Sequence, residues 1–116
     1  MLEGRRILVL QSEVLVAIDL QVLLEDEGAV VSVGPRCHLG EDFDCLIVDS
    51  AATNQPITTD LVASGIPLVG YTGDTQAVSR KYPDAIVVKK PAMAAELLAA
   101  VRGALRSERV HALCVG

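Results

Sequence analysis

The chain has 116 residues, of which 51% are apolar and only 3% aromatic, and its formal net charge is −5. This length and apolar content predict one folded domain with a sizeable core and exclude a disordered chain. The acidic balance argues against nucleic-acid binding, and no run of about 18 apolar residues is present to span a membrane.

Glu3, Arg5 and Arg6 precede the first strand-like run. That is unlike a secretory signal, so a cytoplasmic location is expected. With so few aromatics, the core must be built from Val, Leu, Ile and Ala, the palette of parallel α/β sheets. The three cysteines, Cys37, Cys45 and Cys114, cannot pair evenly within one chain. Cys45 lies in an apolar run and reads as an inert core residue. Cys37-His38 and His111 with Cys114 lack a second cluster at zinc-site spacing, so metal binding there is not expected.

Arg6 to Leu10 (RILVL) is the first buried strand. Ser12 is placed to cap the following helix, with Glu13 in its first turn and Gly28 to end it after about residue 27. On that helix Val16, Ala17, Leu20, Leu23 and Leu24 share the face that covers the sheet. Leu15, Ile18 and Val22 fall on nearly the opposite face, where polar residues are usual. That stripe reads either as partly covered by neighbouring loops or as a docking stripe for a partner helix. Residues 29–33 form the second strand. The short stretch 34–43 is brief for a parallel crossover, so its helix is expected to be reduced to a turn or lost.

The segment DCLIVDS, residues 44–50, reads as a third strand buried on both faces, with Asp49 at its carboxyl end. Residues 50–55 form a polar loop and 56–63 a short helix ended by Gly65. Residues 66–70 form strand four, and Tyr71, Thr72, Gly73 and Asp74 the loop after it. Residues 75–81 allow a loosely held helix of at most two turns, and 85–88 form strand five. Pro91 suits the first position of the last helix. There Met93, Leu97, Val101, Ala104 and Leu105 recur at helical spacing to about residue 107. Residues 108–116 read as a frayed tail. No repeat or linker suggests a second domain, so one domain over 1–116, with its core at about 5–106, is expected.

Strands and helices that alternate this way predict a doubly wound, five-stranded parallel α/β sheet in the flavodoxin-like order 2-1-3-4-5, with the second helix shortened or missing. In that order strands one and three are neighbours, so Gln11, Ser12 and Asp49 converge at the switch point. Thr72 and Lys90 end the next two strands on the same edge. A carboxylate, a hydroxyl and a lysine there suit phosphoryl chemistry. Asp can act as nucleophile and form an acyl phosphate, and Lys and Thr can bind the added oxygens. No glycine-rich phosphate loop follows the first strand, and there are few aromatics to stack a flavin. A phosphatase or flavodoxin-like redox enzyme is therefore not expected.

RRILVL, FDCLIVD, IPLVGYTG and KKP followed by an amphipathic helix together resemble the receiver domain of two-component response regulators, over about residues 5–106. The resemblance implies Asp49 as phosphoacceptor, Thr72 as switch hydroxyl and Lys90 as phosphate-binding lysine. It also implies Mg²⁺ as cofactor, a histidine kinase or phosphotransfer protein as donor, and no enzyme activity. The Thr72-Gly73 pair is similar to a receiver subfamily that often lacks the aromatic switch of strand five, and Val87 stands in the matching place. The chain departs where receivers usually carry two acidic residues after strand one: Gln11 and Ser12 stand there, with Glu13 one residue later. Together with Asp49 they make a degenerate site at which Mg²⁺ is expected to bind weakly. Two functions are then expected as alternatives. One is a single-domain response regulator phosphorylated on Asp49, with Leu15, Ile18 and Val22 docking the donor's helices. The other is a pseudo-receiver interaction module that takes no phosphate, because the acidic pair is replaced.

Overall fold

The computed structural model describes residues 2–34 and 42–115, with side chains as far as residue 106. Cys37 and His38, and the side chains of His111 and Cys114, lie outside the described residues.

The described strands are β1 (Arg6–Leu10), β2 (Val30–Val33), β3 (Cys45–Val48), β4 (Leu68–Thr72) and β5 (Ile86–Lys89). Every pairing is parallel and the order is β2-β1-β3-β4-β5, as the alternation of elements predicts. The helices are α1 (Val14–Asp26), α2 (Pro56–Ala63), α3 (Thr75–Lys81) and α4 (Ala94–Val115), with a 3₁₀ turn at Ala52–Asn54. Among the described residues no helix lies between β2 and β3.

Alternate strand residues point to opposite faces of the sheet and build two cores. Ile7, Val9, Ile47, Val69 and Val88 meet Ala17, Leu20 and Leu24 of α1 and Leu97 and Val101 of α4. Leu8, Leu10, Leu46, Val48 and Leu68 meet Val78 of α3, with Ile57 and Leu61 of α2 packed alongside. β3 is buried along its whole length because it has strands on both sides and helices on both faces. Cys45 lies there, and burial pushes its thiol up to about 12, so it is the inert core residue expected.

Several boundaries differ from the sequence expectation. β4 is displaced by two residues: Ile66 donates its N–H to Leu61 to close α2, and Pro67 has no N–H for the ladder. Tyr71 and Thr72 are therefore strand residues, and Thr72 pairs with Lys89. β2 begins at Val30 and β5 ends at Lys89, each one residue later than expected. Pro91 follows a cis peptide bond and precedes α4 rather than opening it. Met93 is consequently exposed rather than part of the helix's apolar repeat. Residues 108–115 continue α4 instead of fraying. α3 has the expected bounds, and Val78 is its buried residue. A Cβ on Gly70 would lie 2.9 Å from Val78 Cγ1, so glycine at that position lets α3 approach β4 closely.

Candidate functional site

Parallel pairing brings the carboxyl ends of β1, β3, β4 and β5 to one edge of the sheet. The Asp49 N–H donates to Leu10 O at 3.2 Å, which extends the β1–β3 ladder by one step and sets the carboxylate at the switch point. Asp49 is only 4% exposed. Its Oδ2 accepts from the Ser12 N–H at 2.7 Å and from the Ser12 hydroxyl at 2.5 Å. Its Oδ1 accepts from the Ala52 N–H at 2.9 Å, at the first residue of the 3₁₀ turn. Burial is the strongest single influence on this carboxyl and pushes its pKa up. The Ser12 hydroxyl, the Ser12 and Ala52 N–H groups and the Lys90 ammonium together outweigh it, so the pKa is held below the ordinary 3.8.

Ser12 does not cap α1, contrary to expectation. The N-cap residue is Glu13, which makes no side-chain capping bond. A carboxylate binds a hydroxyl more strongly than a neutral helix N–H does, and Asp49 is within reach only because β1 and β3 are adjacent. Glu13 also has a definite role: its Oε1 lies 3.6 Å from Lys90 Nζ. Lys90 Nζ further stands 5.4 Å from the centroid of the Tyr71 ring. The Tyr71 hydroxyl accepts from the Ala92 N–H at 3.4 Å, tying the segment after β5 to β4.

Thr72 is 2% exposed, and its hydroxyl oxygen accepts from the Asp74 N–H at 3.0 Å. Asp74 in turn accepts from the Ala77 N–H at 3.2 Å and caps α3. Thr72 thus sits where β4 hands over to α3. Val87 packs on the face shared with Val78. Gln11 Nε2 reaches the Tyr71 carbonyl at 3.3 Å, and its Oε1 is buried without a hydrogen-bond partner. Leu15, Ile18 and Val22 on α1 are 76%, 47% and 55% exposed.

The structure therefore brings Asp49, Ser12, Gln11, Thr72 and Lys90 to one edge, with the α1 stripe starting two residues beyond Glu13. Sequence reasoning missed the Ala52 N–H, the Glu13–Lys90 pair and the Tyr71 ring. Ala52 had a signal, since an Asp three residues before a free N–H is a capping arrangement.

These residues do not fit a bound Mg²⁺. That ion takes octahedral oxygen ligands anchored by carboxylates. Among the described residues no three His, Cys, Asp or Glu side chains gather to hold a metal. Ser12 directs donors, not lone pairs, at Asp49 Oδ2. Gln11 could offer one neutral oxygen, which carries no charge to offset a dication.

No protein-family model matches the chain, and no curated protein sequence does. Solved structures do. A response regulator receiver protein from Sinorhizobium medicae is 21% identical with a TM-score of 0.76, covering 93% of this chain and 99% of that one. NtrX from Brucella abortus, solved in complex with ADP, is 15% identical with a TM-score of 0.83, over 97% of this chain and 29% of that one. A CheY-like response regulator from Mesorhizobium loti is 19% identical with a TM-score of 0.67, over 86% and 98%. The fold is that of response-regulator receiver domains.

Proposed function

We propose that this chain is a receiver module of two-component signalling that acts through protein–protein contact rather than catalysis, with Asp49, Thr72 and Lys90 at its signalling edge. The observation that carries this reading is the convergence of those three side chains, from three different strand ends, on one edge of a receiver fold. The exposed Leu15, Ile18 and Val22 stripe supplies an apolar surface for the helices of a histidine kinase or phosphotransfer protein.

Two forms of the module differ at Asp49. In the acceptor form, a carboxylate oxygen attacks the phosphorus of a donor phosphohistidine. The P–N bond breaks, the imidazole leaves, and Asp49 becomes an acyl phosphate. Lys90 then exchanges Glu13 for phosphoryl oxygens, and Thr72 turns its hydroxyl inward and releases the Asp74 N–H that starts α3. In the second form Asp49 takes no phosphate and the module binds its partner constitutively. What supports the second form is the set of Ser12 and Ala52 donors already on Asp49 together with surrounding residues that do not suit Mg²⁺; what supports the first is the retention of Asp49, Thr72 and Lys90 on one edge.

Amide NMR with beryllofluoride, with and without excess Mg²⁺, separates the two. Shifts at Asp49, Thr72 and Lys90 and through residues 74–81 would establish the acceptor form. Unchanged spectra at millimolar metal would establish the constitutive form. The signalling reading itself fails if helical kinase and phosphotransfer domains from the same cell do not bind the wild type, or bind the I18E variant as tightly as the wild type.

A further inference from the structure

We propose that Ser12 stands in for a divalent cation at Asp49, so that this edge is organised without metal and is held closed by a serine latch. Two donors from one residue converge on one oxygen: the Ser12 N–H at 2.7 Å and its hydroxyl at 2.5 Å from Oδ2. The Ala52 N–H holds the other oxygen at 2.9 Å. The carboxylate is almost fully buried, and an ionised carboxylate in such a place needs positive charge or several donors. Ser12 and Ala52 supply the donors. The charge comes from Lys90, which is anchored by Glu13 at 3.6 Å. A residue that ligated a cation would present lone pairs toward the space beside Oδ2, whereas Ser12 presents hydrogens there.

The two halves of the latch differ in mobility. The N–H half is fixed by the entry of the chain into α1, while the hydroxyl half is released by one rotation about χ1. The latch joins Asp49 to the first turn of α1, from whose outer face Leu15, Ile18 and Val22 project.

The test is a set of ¹⁵N-labelled proteins, wild type, S12A, S12T and S12D, titrated with MgCl₂ to millimolar concentration and melted without metal. The wild type and S12T are expected to show no saturable Mg²⁺-dependent shift at the amides of residues 12, 49 and 52. S12D is expected to gain one, binding Mg²⁺ at least about tenfold more tightly than the wild type. Without metal, S12A is expected to melt lower than the wild type, and S12T to restore most of the loss. Saturable Mg²⁺ shifts in the wild type would overturn the proposal. So would a folded S12D that gains no affinity, or an S12A midpoint equal to the wild type's. Should S12D fail to fold, the wild-type titration and the S12A and S12T midpoints still decide.

Discussion

Asp49 is a buried charge whose stability depends on three donors and a nearby ammonium. Replacing it with alanine leaves the Ser12 and Ala52 donors without an acceptor. D49A is therefore expected to lose about 2–4 kcal/mol of unfolding free energy, read from urea midpoints. The pH dependence has a definite sign. A folded-state pKa held below the ordinary 3.8 adds stability that is fully present above that value and disappears as the pH falls through the lowered one. D49N keeps the shape but cannot ionise. The stability gap between wild type and D49N is expected to be constant from neutrality to about pH 5 and to close below about pH 4. Urea unfolding of both proteins across that range checks it.

Among the elements, α1 and α3 differ in how they are held. α1 buries Ala17, Leu20 and Leu24 and leaves its outer stripe bare. L15E and I18E are expected to change stability by no more than about 0.5 kcal/mol while abolishing binding of a helical partner. Together, a circular-dichroism melt and a binding titration separate docking from folding. α3 spans Thr75–Lys81 and buries Val78 against Gly70. G70A pushes a methyl against Val78 and is expected to cost about 1–3 kcal/mol. In the double variant G70A/V78A the clash is gone, so the two losses should be clearly less than additive in a double-mutant cycle.

For the whole molecule, the sheet order sets a gradient of stability. β1, β3 and β4 have strand neighbours on both sides, whereas β2 is an edge with Val30 and Val33 exposed. Amide hydrogen exchange should be slowest in β1, β3 and β4 and fastest in β2 and α3. The same topology creates the functional edge, because every strand is parallel and all the carboxyl ends meet there. Solved structures only 15–21% identical share this architecture, so apolar patterning rather than residue identity carries it.

The sheet order and the edge occupied by Asp49, Thr72 and Lys90 were legible in the sequence. Each follows from a short-range period or from the rule that ligands bind at strand ends. The face of α1 that packs inward, and the stripe that does not, were legible for the same reason. The partners of polar side chains were not. Ser12 looked like a helix cap because the donor N–H groups of the α1 first turn are its neighbours in sequence, yet its hydroxyl donates across 37 residues to Asp49. Glu13 and Lys90 meet only because α1 and the end of β5 come to the same edge. The ends of β4 and the start of α4 likewise depended on which backbone groups found ladder partners. Apolar spacing, a local property, determined the architecture. Only the tertiary structure decided the hydrogen bonding of the site, because a polar atom takes its strongest available partner wherever the fold brings one.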